Sequence, residues 1–273
     1  MKVLITGSKG MLGSDLAEEF KEFHLYAFGK SELDITKKSS IQKCLKKIKP
    51  DVVINSAAYT DVDGSEANKR EALKVNGIAV RNIAMMCKRI DAVLVHYSTD
   101  YVFDGRNQNG YRENERKNPI NYYGYTKSLG EDYITRIMKK YFIIRSSWLF
   151  GKNGKNFVQA ILNKSKEPQI KVVDDQTGSP TCTKNLAEAT KEILMDYDYG
   201  IYHITNSGAC TWFDFAQEIL TQINSKTKVV PINSKELNRP AKRPKCSVLV
   251  NTKFKNKLPL WSIALKRHLG EIK

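Results

Sequence analysis

Three glycines spaced three apart, Gly7, Gly10 and Gly13, stand between a short β-branched run, Lys2–Thr6, and a stretch of helical periodicity that starts at Met11. A turn that passes directly from a strand into a helix needs residues without a Cβ. The helix that follows offers free N–H groups and the positive end of its dipole, which together attract a pyrophosphate. The spacing is G-x-x-G-x-x-G, distinct from the G-x-G-x-x-G of many dinucleotide enzymes. At the head of a strand–helix alternation it assigns Gly7, Gly10, Met11, Leu12 and Gly13 to a bound dinucleotide.

The alternation continues. Met11–Phe23 reads as a helix with Leu12, Leu16 and Phe20 on one face, His24–Phe28 as a strand, and Ser40–Ile48 as a helix carrying Ile41, Leu45 and Ile48. Asp51–Asn55 is a near-continuous apolar strand, as expected where helices cover both faces of a parallel sheet. A helix at Asn76–Arg89, a strand at Ala92–Tyr97, a long helix from Tyr122 to about Lys140 and a strand at Phe142–Ser146 complete the pattern. Such units, joined by right-handed crossovers, give an α/β, doubly wound parallel sheet of Rossmann type. Past residue 150 the pattern loosens. Helices at Asn156–Ser165, Thr183–Met195 and Trp212–Ile223 alternate with short strands at Ile170–Val173 and Ile201–Thr205, and Pro231–Lys245 reads as an ordered loop. The expected organisation is a dinucleotide-binding domain over 1–150 and, with later segments rejoining the sheet, a smaller substrate-binding lobe over 151–273.

Composition narrows the class. With 41% hydrophobic and 27% charged residues the chain has a soluble globular profile. No apolar run reaches the ~18 residues of a membrane span, and the apolar start is too short for a signal peptide, so the expectation is a cytoplasmic protein without a membrane partner. Five scattered cysteines with no C-x-x-C pair read as reduced thiols, neither a disulfide frame nor a metal site. The net charge of +16 is mostly dispersed lysine, with no aromatic-interleaved basic ribbon, so no nucleic-acid partner is expected.

The end of the second strand discriminates between nicotinamide cofactors, because an acid there binds the ribose 2′-hydroxyl and a base favours a 2′-phosphate. The chain reads Ala27-Phe28-Gly29-Lys30-Ser31, with no acid before Glu32. Lys30 and Ser31 suit a phosphate, which points to NADPH, with NADH the alternative; the competing reading is a surface lysine beside a turn.

Tyr123 and Lys127 lie four apart near the start of a helix, so both project from one face. A phenol there can give a proton to a carbonyl oxygen, and an adjacent ammonium is expected to lower its pKa from about 10. Tyr122 and Tyr125 lack a lysine at this spacing. Thr99, just past the Ala92–Tyr97 strand, is placed to hydrogen-bond the same carbonyl oxygen, with Ser98 the rival hydroxyl.

Taken together, G-x-x-G-x-x-G at Gly7, N-S-A-A-Y-T-D-V-D at Asn55–Asp63, S-T-D-Y-V-F at Ser98–Phe103 and Y-G-x-T-K-x-x-G-E at Tyr123–Glu131 resemble the dTDP-4-dehydrorhamnose reductase family of extended short-chain dehydrogenases/reductases. W-L-F-G at Trp148, N-F at Asn156, D-Q-x-G-x-P-T at Asp175–Thr181 and R-P-A-x-R-P at Arg239–Pro244 follow in family order. The last two motifs are the narrow ones.

The resemblance implies Thr99, Tyr123 and Lys127 as a catalytic trio. It sets Asp34 and Ile35 beside the adenine and Ala57, Ala58 and Tyr59 along the cofactor. Trp148, Asn156, Gln176 and Thr181 meet the dTDP-sugar, and Arg243, then Arg239, supply charge for its diphosphate. Some members bridge a dimer through a metal held partly by an acid just after the P-T element; here that stretch reads Cys182-Thr183-Lys184-Asn185, so no metal is expected and the chain is monomer or homodimer. The implied activity is NAD(P)H-dependent reduction of the 4-keto group of dTDP-4-dehydro-6-deoxy-L-mannose. The alternatives are a reductase, epimerase or dehydratase for another nucleotide-sugar, and a partner-binding role like that of the regulatory β subunit of methionine adenosyltransferase.

Overall fold

The computed structural model describes residues 1–272; Lys273, the last residue of the expected lobe, lies outside them. In chain order the elements are β1 (Lys2–Thr6), α1 (Met11–Glu19), β2 (His24–Phe28), α2 (Lys38–Ile48), β3 (Val52–Asn55), α3 (Val62–Ala67), α4 (Lys69–Leu73) and, after a π-helical turn at Lys74–Ala79, α5 (Val80–Arg89). Then come β4 (Val93–Thr99), a 3-10 turn at Asp100–Val102, α6 (Tyr122–Ile137), β5 (Tyr141–Ser146), β6 (Leu149–Phe150), α7 (Phe157–Asn163), β7 (Gln169–Val173), β8 (Thr177–Gly178) and β9 (Thr181–Cys182). The last third holds α8 (Thr183–Asp196), β10 (Gly200–His203), β11 (Cys210–Thr211), α9 (Trp212–Gln222), β12 (Lys228–Ile232), a 3-10 turn at Ser234–Leu237 and α10 (Trp261–Glu271).

The apolar strands bury both faces because successive side chains point to opposite sides of a sheet. Val3, Ile5, Ile54, Val95 and Ile144 pack with Leu16 of α1 and Leu186 of α8. On the other face Leu4, Val53, Leu94 and Ile143 meet Ile41 of α2, Ile83 of α5 and Ile134 of α6. The six-stranded sheet has the order β10-β5-β4-β3-β1-β2, and all its pairings are parallel. β1 has β2 on one side and β3 on the other, so the winding reverses there. The crevice beyond the carboxyl ends of β1 and β3 is where such a sheet admits a ligand.

The later half of the chain divides its residues. α8 lies on α1 and β10 adds to the sheet beside β5. A separate core gathers Phe150, Val158, Ile170, Phe215, Ile219 and Leu265 from α7, α9, α10 and the short strands. No described helix is long and apolar enough to cross a membrane.

Three differences from the sequence pattern have physical causes. The helix expected at Asn76–Arg89 follows a helical path that already begins at Lys69 and widens into the π turn at Lys74–Ala79. That turn lets the buried Asn76 amide leave the helix: Oδ1 accepts from Tyr59 N at 2.9 Å, and Nδ2 donates to Tyr59 O at 3.0 Å and Thr126 Oγ1 at 3.2 Å. β12 runs into Pro231, the start of the expected loop, because it is an edge strand paired only with β7, where a missing N–H is tolerated. α10 was not anticipated. Its buried Ala264, Leu265, His268 and Leu269 have helical spacing, but no side chain caps its start.

Candidate active site

The glycine loop is shaped by close approach. Gly7 has φ +74°, and a Cβ there would lie 2.7 Å from Ala57 N, at the end of β3. Gly13 backs onto the Gly7 carbonyl with no room for a side chain. α1 starts at Met11 with no side-chain cap and no acid in its first turn, leaving its N–H groups for an anion. Leu12 is buried beneath the loop, and Met11 Sδ lies 3.6 Å from Asn156 Nδ2. Ala57, Ala58 and Tyr59 are half-buried along the same crevice, and the Asn76 clamp on Tyr59 fixes their path.

At the end of β2, Lys30 and Ser31 line a cavity of about 560 Å³ with Glu32, Asp34, Lys37 and Ser40. Both acids are committed elsewhere. Glu32 Oε2 accepts from Gly29 N at 2.8 Å and pairs with Lys9, and Asp34 Oδ1 accepts from Thr36 N and Oγ1. The rest of the lining is basic and hydroxylic, from Lys30, Lys37, Ser31 and Ser40. Ile35 is packed into the core beside α2.

Thr99 closes β4, two residues beyond the expected end of that strand. Its Oγ1 donates to Asp100 Oδ1 at 2.9 Å and accepts from Tyr101 N at 3.2 Å. The rival Ser98 is taken, since its hydroxyl donates to Glu131. Tyr123 enters from the first turn of α6, which Asn121 caps by accepting from Gly124 N at 2.8 Å. The Tyr101 ring meets Tyr123 edge to face at 5.9 Å.

Burial and the Asp100 carboxylate push the Tyr123 phenol up to about 12, while a hydrogen bond with Thr99 works the other way. The expected lowering by Lys127 is therefore not what this arrangement gives. The reason is where the ammonium points: Nζ donates to Tyr97 O and lies 3.5 Å from His96 Nε2, down toward the sheet. Burial brings Lys127 down to about 8, with Glu131 opposing. Asp100, also buried, is pushed up to about 6.

One further turn along α6, fully buried Glu131 is gripped by Arg145 of β5, whose Nε donates to Oε1 at 2.9 Å and Nη2 to Oε2 at 2.7 Å. Arg145 Nη1 also donates to Glu113 O at 3.1 Å. This pair anchors the helix that carries Tyr123 and Lys127. Neither the network nor Asn76 was read from the sequence as part of the site, although Glu131 stands within the Tyr123–Glu131 motif.

On the substrate side, Trp148 sits in the left-handed region at φ +49° and stacks on Trp212 at 3.5 Å. A bulky residue held there is strained and is fixed by its surroundings. Gln176 is buried at the edge of the same lobe. Asn156 and Thr181 also have structural work. Asn156 caps α7, accepting from Gln159 N at 3.0 Å and donating to Gly151 O at 2.9 Å. Thr181 is fully buried in the β6–β9 pair, and its hydroxyl donates to Ser179 O.

The basic loop is likewise engaged. Arg243 makes a bidentate pair with Asp63, Nη1 to Oδ1 at 2.9 Å and Nη2 to Oδ2 at 2.7 Å, and Arg239 lies 3.5 Å from the same carboxylate. Asn121 Nδ2 also donates to Lys242 O at 2.8 Å. The loop is thus strapped from the later lobe to α3 and to the start of α6, and the guanidinium expected to meet a diphosphate is already partnered by an acid.

This geometry has close counterparts. The family model described as the RmlD substrate binding domain matches residues 1–273. Spore coat polysaccharide biosynthesis protein SpsK of Bacillus subtilis is 38% identical, over 99% of this chain and 97% of its own length. A dTDP-4-dehydrorhamnose reductase of Burkholderia thailandensis is 34% identical, over 97% of each. The crystal structure of dTDP-4-dehydrorhamnose reductase from Bacillus anthracis in complex with NADP superposes with a TM-score of 0.96 at 40% identity, covering 99% of both chains. The chain belongs to the dTDP-4-dehydrorhamnose reductase family. For a member of this reductase family, the parts that sequence reasoning missed are Asp63, Asn76, Glu131, Trp212 and the pair Lys37 and Ser40. Asp63, Asn76, Glu131 and Trp212 each act through a partner distant in sequence.

Proposed function

We propose that this chain is an NADPH-dependent oxidoreductase that reduces the 4-keto group of dTDP-4-dehydro-6-deoxy-L-mannose to give dTDP-L-rhamnose, a step in polysaccharide biosynthesis. The observation that carries this is the pairing of Thr99 with Tyr123 at the carboxyl end of β4, with Lys127 one turn further along α6, in a chain matched end to end by reductases. NADPH supplies the hydride. Gly7, Gly10 and Gly13 with the start of α1 hold the pyrophosphate, and Lys30 with Lys37 favours the 2′-phosphate. Tyr123, protonated throughout the working range, gives its proton to the ketone oxygen, which the Thr99 hydroxyl holds in line by turning its proton from Asp100 to the substrate. Lys127 presents an ammonium to the nicotinamide ribose. Trp148 and Gln176 border the sugar nucleotide, with Arg239 and Arg243 supplying positive charge to that side of the cleft. The protein works in the cytoplasm as a monomer or homodimer, without a nucleic-acid or membrane partner and without a metal.

The test is loss of absorbance at the reduced-nicotinamide band with purified protein, NADPH and dTDP-4-dehydro-6-deoxy-L-mannose. Consumption of NADPH in proportion to the sugar, abolished in Tyr123→Phe, is the expected outcome. A flat trace from folded protein that binds NADPH would overturn this substrate assignment.

A further inference from the structure

Three neighbouring strands carry a buried polar row across the sheet. Thr6 of β1, Asn55 of β3 and His96 of β4 are each 1% exposed. They are in direct register, Thr6 with Asn55 and Asn55 with His96. All three point to the face that Leu4, Val53 and Leu94 occupy two residues earlier. Burying polar groups gains nothing over aliphatic ones unless their hydrogen bonds are made, so such a row calls for a use. The row ends on Lys127.

Its hydrogen bonds have a direction. Thr6 Oγ1 donates to Asn55 Oδ1 at 2.7 Å, which leaves the Asn55 amide nitrogen facing His96 Nδ1 at 3.0 Å. Nδ1 therefore accepts, and the neutral ring carries its proton on Nε2. Nε2 is the atom that faces Lys127 Nζ, at 3.5 Å. Burial, with the neighbouring ammonium, keeps the imidazole neutral. An N–H aimed at an ammonium disfavours the charged form and suits the free amine, which can accept from it.

We propose that His96, oriented by Asn55 and Thr6, is a positioning residue for Lys127: its ring fixes where the lysine head sits, and its Nε2–H opposes the charge there. The other charged groups around the pair are Glu131 on α6, which favours the ammonium, with Arg145 of β5 and Lys117 bound to it. On the cleft side stand Tyr123 and Asp100. On the π turn the buried Asn76 is uncharged and bonds Thr126 of α6, and α5 packs the buried thiol of Cys87 into the same core. Burial already brings the titration of Lys127 into the working range, and the His96 Nε2–H, by opposing the charge, adds to that lowering, so cofactor affinity weakens as pH rises through it. That consequence rests on Lys127 holding the cofactor; the titration itself does not.

The experiment follows Lys127 by the ¹³Cε signal of labelled lysine in the full-length protein, and His96 by imidazole ¹⁵N shifts. In the wild type the ring should be neutral with its proton on Nε2, and the lysine midpoint should fall near 8. His96→Gln can turn an amide oxygen toward Nζ without adding charge. Asn55→Asp takes the proton onto Nδ1 and makes Nε2 an acceptor. Both should raise the midpoint by at least about one pH unit, a tenfold change in the equilibrium, and the pH at which NADPH binding weakens should move with it. An unchanged midpoint in folded His96→Gln, or a wild-type ring protonated on Nδ1, overturns the proposal. If Asn55→Asp does not fold, the other two readings still decide. Failure of the reductase reading would show separately, as wild-type protein that binds NADPH but leaves it unoxidised with the sugar.

Discussion

Replacing Glu131 by Gln keeps the shape of a fully buried side chain and removes its charge. In the wild type that carboxylate accepts two hydrogen bonds from Arg145 and one from Ser98, and Lys117 Nζ lies 3.2 Å away. Burial works to raise its pKa, but Arg145, Lys117 and Ser98 outweigh burial and bring it from 4.5 to about 2. At about 1.4 kcal/mol per pH unit that gap corresponds to roughly 3 kcal/mol of stability. Breaking one partner of a buried ion pair costs about 3–5 kcal/mol on general grounds, which agrees. With an unfolding entropy of about 2.1 cal/mol/K per residue, the 273-residue chain should lose roughly 5 °C or more in Tm. The pH dependence has a definite sign. A carboxylate with a depressed folded pKa stabilises above its unfolded value and loses that contribution as pH falls from 4.5 through about 2. Melts followed by circular dichroism should therefore show the gap between wild type and Glu131→Gln at pH 7 and a narrower gap near pH 3. Removing both charges, as in Glu131→Gln/Arg145→Met, should melt above the single variant. A Tm difference below about 2 °C at pH 7, or one that does not narrow in acid, would refute the reasoning.

Tyr123→Phe should lower turnover by roughly 10²–10⁴-fold while NADPH binding, read by nucleotide fluorescence, stays near wild type; retained turnover would exclude Tyr123 as the proton donor. Lys30→Ala/Lys37→Ala removes both bases from the cavity after β2, and the ratio of kcat/KM for NADPH over NADH should drop by about tenfold, since each charge-assisted contact is worth about 1.5–3 kcal/mol before solvent screening. A ratio that stays constant would place the 2′-phosphate elsewhere. Asp63→Asn weakens the strap on Arg243, and KM for the nucleotide-sugar should rise about 5–10-fold, the equivalent of ~1 kcal/mol for a partly exposed pair, with kcat changed less. An unchanged KM would show that the strap does not shape the sugar site.

Much of the fold was legible before any coordinates, because strand and helix periodicity are short-range properties. The runs around Ile54, Val95 and Ile144 read directly as covered parallel strands, and Gly7, Gly10 and Gly13 as a strand-to-helix turn. What escaped were elements whose reason lies elsewhere in the molecule. The π turn exists because Asn76 must reach Tyr59 and Thr126. β12 tolerates Pro231 because, among the described residues, β7 is the one strand it pairs with.

The candidate site divides along the same line. By itself, the sequence determined the Tyr123–Lys127 spacing, the hydroxyls after β4 and the family signature, since each is a pattern of residue types at fixed separations. Only the tertiary structure decided what each side chain is free to do. It gives Ser98 to the buried Glu131, and it sets the Thr99 hydroxyl against Asp100 at the end of β4. It turns Lys127 toward His96 and away from the phenol, and it joins Arg243 to Asp63, 180 residues earlier. A hydrogen bond or ion pair depends on which groups the packed chain brings within about 3 Å, and no local pattern carries that information.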